Sequence, residues 1–558
     1  MNKQNNGSSL GDLKRKSAVR VINTAILLLF LVAASVVLAQ SMPPQALEAP
    51  PLSSSVNEIE KWKRFEVAYG NSTWSGNPFD LEFEATFRHV PSGRELTQFG
   101  FYAGNNSWKL YFMPDEVGQW TYVTQSPDPE LNGHSGWFTA VASKLPGQLS
   151  PEGNRWRLEG SGEHVAPIML PIGPWFKRTN TNDGIHNFID WAGGTAGALI
   201  IGTTLVYCTL AQDEVTYLKG QEGELFNISM WDRLNSHYDA LRDRGMGFYI
   251  MFYADDEDSP NRCGIPAQSA AEERLMRYAI ARFSAYPIVM WDTGIDIEEY
   301  RSLDWVEWYA EWINTNDPWQ HPVSSRTGGG SGGKFPEEAT YYSDGTKELP
   351  SHEVVVGSWQ SRAVPTAYTD RWRENYDRGD FDRDKIRQAA WEVGLVGGTG
   401  IYLGGNENSG YLGETYATDL EAAPDLGHRT KFFCQHIRNL SQLVPHDELI
   451  TSGANVILSA DPGQEYVAYS RTGGSIGINL STTAGVFNVA WYNPLTGQLL
   501  GQTTTTGGDN RTLVAPFTGE AVLHLYTAST GNRQLLALDQ FIYLPFVFTP
   551  SNPSNPCT

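Results

Sequence analysis

The chain has 558 residues, too many for one ordinary domain of roughly 100–200 residues, so two to four domains are expected. Hydrophobic residues at 41% and charged residues at 19% exclude a disordered chain. A formal net charge of −22 excludes the basic surface that nucleic-acid binding requires, and it disfavours a polyanionic substrate outside a local basic cleft.

Lys14, Arg15, Lys16 and Arg20 precede an uncharged apolar run from Val21 to Leu38, and Val37 and Ala39 occupy the −3 and −1 places before Gln40. This reads as a secretory signal over 1–39. The run is 18 residues, at the lower limit of the about 17–25 that span a bilayer, so a retained anchor helix is the other reading. In both cases the folded part is expected to be secreted or held at the cell surface, with a membrane involved only through that anchor. Cleavage leaves a net charge of −26. Residues 40–56 are rich in Pro, Ala and Ser and read as a linker.

Leu81, Phe83, Ala85 and Phe87 alternate with polar residues, Trp108, Leu110 and Phe112 repeat the pattern, and Trp120 and Tyr122 follow Gly118. A period of two marks strands with one buried face, so 57–144 is expected to be a small β-sandwich. From 145 to 445 strand-like apolar runs alternate with helical stretches. Eight strands are expected at Ala166–Ile172, Ala198–Tyr207, Gly247–Tyr253, Ile288–Trp291, Pro322–Ser325, Val354–Trp359, Thr366–Thr369 and Thr399–Leu403. Helices are expected at Met230–Arg244, Glu272–Ser284, Trp305–Thr315 and Arg383–Val396. Eight such units predict a (β/α)8 TIM barrel, whose chemistry sits at the C-terminal strand ends. An open doubly wound sheet is the other architecture, but no Gly-rich phosphate fingerprint follows the first strand. Short alternating strands return over 446–530 and predict a second, smaller β-sandwich. The tail, 531–558, has no assigned role.

The predicted rim is rich in carboxylates and Trp. Asp255 and Asp256 follow the third strand, and Asp292 and Asp296 the fourth. Arg326 ends the fifth, Trp359 and Gln360 the sixth, Asp370 and Arg371 the seventh, and Glu407 follows the eighth. Glycoside cleavage needs one carboxylic acid to protonate the leaving oxygen and one carboxylate to attack or to activate water. Aromatic faces such as Trp175 and Trp359 can stack on sugars or simply pack. Asp255 and Asp256 read as a substrate clamp, a calcium site or a solvated loop. Asp292 reads as an orienting acceptor. No HExxH or Gly-x-Ser-x-Gly motif is present, so neither a metal centre nor a serine nucleophile is expected, and no cofactor is implied. Cys208 and Cys263 fall in neighbouring loops of an exported protein and read as a disulfide or as two separate thiols.

The motifs Asn77-Pro78-Phe79, Gly100–Gly104, Gly118–Tyr122, Trp291–Asp296, Asp317–Pro322 and Trp491–Gly497 stand in one order along the chain. In that order the sequence resembles the apiosidase-like (β/α)8 glycoside hydrolases, which carry an N-terminal β-sandwich of unknown function and a C-terminal collagen-binding-type β-domain. The resemblance implies that Asp296 is the strand-four acid/base and Asp370 the strand-seven nucleophile, and by family it favours retention of configuration. Both are Asp where that broad clan usually has Glu, which shortens each side chain by one carbon, roughly 1.5 Å; on an unchanged backbone this sets the carboxyls farther apart, toward the inverting spacing, so the stereochemistry stays open. It further implies a polysaccharide or oligosaccharide substrate. The competing expectation is a non-catalytic glycan- or matrix-binding protein at the cell surface.

Overall fold

The computed structural model describes residues 58–171, 182–206, 226–253, 260–294, 297–328, 336–346, 349–374, 381–403, 418 and 420–527. The expected signal, linker and tail lie outside them. The described residues from 58 onward form one compact unit built of several sheets.

The N-terminal strands form two layers that share Glu95–Tyr102. The first half of that strand pairs with Glu84–His89, and the second half, from Gly100, pairs with Ser107–Phe112. The switch needs glycine, because a Cβ on Gly100 would come within 2.2 Å of the Phe83 ring. Period-two patterning puts aromatic residues between the layers, where Phe87 stacks on Phe112 with centroids 3.9 Å apart and Phe65 stacks on Phe138 at 4.3 Å.

The central region is a parallel sheet of β1 (Ile168–Pro171), β2 (Ile200–Val206), β3 (Gly247–Tyr253), β4 (Val289–Gly294), β5 (Val323–Ser324 resuming at Thr327–Gly328), β6 (Tyr342–Gly345), β7 (Thr366–Arg373) and β8 (Thr399–Leu403). β1 pairs with both β2 and β8, and the two halves of β5 pair with β4 and β6. The sheet therefore nearly closes on itself. Every residue of β3 is buried, as expected of a parallel strand covered on both faces. The helices are α1 (Asn182–Gly194), α2 (Ile228–Arg242), α3 (Ala270–Phe283), α4 (Leu303–Asn316), α5 (His352–Ser361), α6 (Arg383–Leu395) and α7 (Ala423–Gln435). The caps of several are explicit: Ser269 accepts from Glu272 N–H, Ser302 from Trp305 N–H and Asp382 from Lys385 N–H.

Two expectations are corrected. Val354–Trp359 is not the sixth strand but part of α5, and the sixth strand is Tyr342–Gly345. The Val run favoured a strand by propensity, yet Ser351 caps a helix there and Glu353 sits in its first turn. The seventh strand does not end at Thr369 but runs to Arg373 through a bulge.

A small sheet over Leu149–Val165 covers the ring at the N-terminal strand ends. Leu149 N–H bonds Pro287 C=O just before β4, and Trp156 meets Tyr341 at 5.7 Å just before β6. Beyond α7, a six-stranded and a three-stranded sheet pack together through Tyr466, Ile478, Phe487, Trp491 and Leu523. The outer face of the larger sheet packs on α6 and α7, with Trp391 stacked on Tyr469 at 5.5 Å.

Candidate active site

Alternation along the ring strands directs Met169, Tyr249, Met290, Tyr341, Ala367 and Ile401 into one apolar cluster with Trp156. One layer further toward the C-terminal strand ends, the chemistry changes. Asp292 stands two residues past Met290 and is fully buried. Its Oδ1 accepts the N–H of Gly294 at 3.1 Å and of Arg326 at 2.8 Å. Its Oδ2 accepts the hydroxyls of Tyr341 at 3.0 Å and Ser343 at 2.7 Å. Burial pushes the Asp292 carboxyl above the usual Asp range, against these hydrogen bonds, which favour the charged form.

A carboxylate offers about four acceptor positions, and all four are engaged here. Asp292 therefore ties β4, β5 and β6 together and is closed to a substrate in this arrangement. The bond to Gly294 fixes the backbone that leads to residue 296. Gly294 has φ +132°, and a Cβ there would meet Tyr253 O at 2.1 Å, so only glycine fits this close approach of β3 and β4.

The same network extends to β7. Ser343 Oγ lies 2.8 Å from Thr369 Oγ1. Thr369 and Asp370 form the bulge, since the register with β8 jumps from Tyr368↔Gly400 to Arg371↔Ile401. A bulge re-aims side chains and bends its strand, and such features gather beside active sites. A continuous path of hydrogen bonds thus runs from Gly294 N–H through Asp292 and Ser343 to Thr369, the residue before Asp370.

Asp317 supports β4 from below. Its Oδ2 accepts Trp291 Nε1–H at 2.9 Å and contacts His321 Nδ1 at 2.8 Å, and its Oδ1 accepts Trp319 N–H at 3.1 Å. The Asp317–Pro322 motif is therefore a clamp between the end of α4 and the starts of β4 and β5.

Of the predicted site residues, Asp292 and Arg326 are brought together, with Arg326 only 2% exposed. The backbones of Asp370 and Arg371 lie in β7, and their side chains are outside the description. Asp296, Asp255, Asp256, Trp175, Glu407 and Cys208 lie outside the described residues, as does the side chain of Cys263. Trp359 and Gln360 are not at a strand end but on α5. Trp359 is half-buried beneath the Arg155 guanidinium, 5.5 Å away, and its carbonyl accepts from Asn154 on the small sheet covering the opposite mouth of the ring.

One acid was missed. Glu374 directly follows β7 and is fully buried, and its carboxylate accepts the N–H groups of Glu421 and Ala422 at the start of α7. Burial pushes its carboxyl up to about 7. Both oxygens are occupied by backbone donors, so it joins β7 to α7.

Residues 58–127 match the family described as a domain of unknown function, DUF5060. No curated protein matches the chain. Among solved structures the chain is similar to a protein from Bacteroides vulgatus ATCC 8482 described as a candidate glycoside hydrolase, with 18% identity, a TM-score of 0.68, and 84% of this chain and 99% of that one covered. It is also similar to a family 5 glycoside hydrolase from the same strain, at 14% identity and a TM-score of 0.54, covering 69% of this chain and 94% of that one. A third structure, described as a glycoside hydrolase, matches at 14% identity with a TM-score of 0.52, covering 70% and 99%. At these identities the likeness is one of fold: the chain has the multidomain, β-rich fold of glycoside hydrolases.

Proposed function

We propose that the chain is an exported glycoside hydrolase that cleaves an extracellular polysaccharide or oligosaccharide. In this reading the parallel ring is a (β/α)8 barrel between two β-sandwiches. Asp296 protonates the leaving oxygen and Asp370 attacks the anomeric carbon, with retention of configuration. The observation that carries the reading is the hydrogen-bonded path from Gly294 through Asp292 and Ser343 to Thr369. It couples the strand ends from which the two acids depart, and a two-carboxylate mechanism needs their separation held within a narrow range, about 5–5.5 Å for retention. The fold likeness supports the same class of reaction, as does the signal-like N-terminus for export.

The test is a product screen of the full chain on mixed plant and microbial polysaccharides. Released reducing sugar is expected, and Asp296→Ala or Asp370→Ala should each lower the rate by about 10²–10⁴-fold with circular dichroism unchanged. Full activity in both variants removes the site assignment. An absence of products across the panel removes the hydrolase reading.

A further inference from the structure

Away from the ring, the N-terminal sheets and helices α3 and α4 enclose a cleft of about 550 Å³. That volume falls within the roughly 300–1,000 Å³ of small-molecule sites. Three aromatic side chains line it: buried Phe83 and half-buried Phe99 from the N-terminal strands, and half-buried Trp312 from α4. Polar groups converge on the same space: Glu84 and Asn132 from the sheets, and Glu273 and Arg277 from α3. Among the described residues, Glu84 and Glu273 form no ion pair. Arg277 Nη2 donates to Phe79 C=O at 3.0 Å, and its guanidinium also feels the charges of Glu82 and Glu273. The lining thus sets three carboxylates, Glu82, Glu84 and Glu273, against one guanidinium, so acceptor capacity is left over.

The walls are fixed relative to one another. Tyr278 O–H donates to Tyr102 C=O at 2.9 Å, Gln98 Nε2–H donates to Ser284 Oγ at 3.0 Å, and Arg274 pairs with Asp80. A cleft whose walls are already ordered costs little to organise on binding.

We infer that this seam is a second, non-catalytic glycan site that holds a neutral sugar chain, with ring faces on Trp312 and hydroxyls donating to Glu84 and Glu273. The chemistry selects this ligand. An indole face suits the apolar face of a pyranose. Three carboxylates against one guanidinium suit hydroxyl donors and repel uronate or phosphate, and the half-buried Glu84 carboxyl is already raised by burial and by neighbouring Glu82. The inference goes beyond the ring and does not need the ring to be catalytic.

The experiment is affinity electrophoresis of the full chain in gels containing mixed-linkage β-glucan, galactomannan or arabinogalactan, with polygalacturonate as the anionic comparison. Retardation is expected in at least one neutral gel and not in polygalacturonate. Trp312→Ala should weaken it at least tenfold. Glu273→Arg, an exposed change in the first turn of α3 that leaves the packing intact, should do the same and covers the case of an unstable Trp312 variant. No retardation in any neutral gel, retardation only in polygalacturonate, or retardation that survives both substitutions each overturns the inference. A chain that binds through Trp312 but releases no product keeps this site and removes the hydrolase reading.

Discussion

The ring is joined to its two flanking regions by differently organised contacts. On the N-terminal side they are dispersed: rings, single hydrogen bonds and two separate ion pairs, Arg64 with Asp239 at 3.0 Å and Arg274 with Asp80. Phe101 lies under the Arg282 guanidinium at 4.5 Å, Trp319 packs on Phe112 at 5.3 Å and donates to Met113 C=O, and Tyr278 reaches Tyr102 C=O. On the C-terminal side the centre is ionic. Arg387 on α6 is buried and donates to Asp425 on α7 at 2.8 Å and to both oxygens of Glu520 in the C-terminal sheets at 2.8 and 2.6 Å. Asp384, Tyr469 and Arg383 complete the network. The surrounding carboxylates raise the already high Arg387 value further, so it stays charged at any relevant pH. A seam of many small contacts weakens gradually when one is removed. A seam centred on one guanidinium fails when its hub is lost, because its carboxylates remain buried.

The largest effect should follow from breaking that hub. Arg387→Met leaves Asp425 and Glu520 buried beside an apolar side chain and should cost about 3–5 kcal/mol, read as a lower midpoint in urea denaturation. The combined change Arg387→Met with Glu520→Gln should recover part of the loss. If the double variant is no better than the single, the hub is not a coupled pair.

A pH scan sharpens the contrast further, because the buried acid Glu374 ties β7 to α7. Its folded-state value of about 7 lies above the ordinary Glu value of 4.5, so the folded protein binds more protons than the unfolded one in between. Its contribution is therefore fully present below pH 4.5 and is lost as pH rises through about 7. The melting temperature of wild type should fall across that window more than that of Glu374→Gln, and parallel curves would remove the assignment.

On the N-terminal side a single deletion should be mild. Tyr278→Phe removes the bond to Tyr102 C=O and the acceptor for Arg282, at about 1–2 kcal/mol. The smallest effect belongs to Asp80→Asn, whose pairing with Arg274 is half-exposed and should be worth under about 1 kcal/mol, measurable only as a salt-dependent difference.

Much of the architecture was legible because apolar runs and their period are local. The third and eighth ring strands fall at Gly247–Tyr253 and Thr399–Leu403 as expected, and the four expected helices lie within about two residues of their observed ends. What failed was governed by tertiary context. Tyr342–Gly345 is too short and polar to announce a strand, and the Val run beside it drew the assignment away. Strand Gln498–Thr506 shows no apolar alternation because it is largely exposed and ends in four Thr residues, and in Asn510–Thr518 the half-buried Leu513, Ala515 and Phe517 are obscured by the exposed Val514 and Pro516 between them. The bulge at Thr369–Asp370 interrupts the period of two, which hid the end of β7 and with it Glu374. Asp292 was noticed, but its four donors come from β4, β5 and β6, over distances that spacing in the sequence does not encode.

The small sheet of residues 149–165 makes the two ends of the ring unequal. Leu149, Trp156 and Leu158 pack onto Met169, Tyr249, Met290 and Ile401, so the N-terminal strand ends are plugged by apolar side chains. Among the described ring residues the linked buried polar groups of Asp292, Ser343 and Thr369 gather at the other end, and that end alone is left to differentiate.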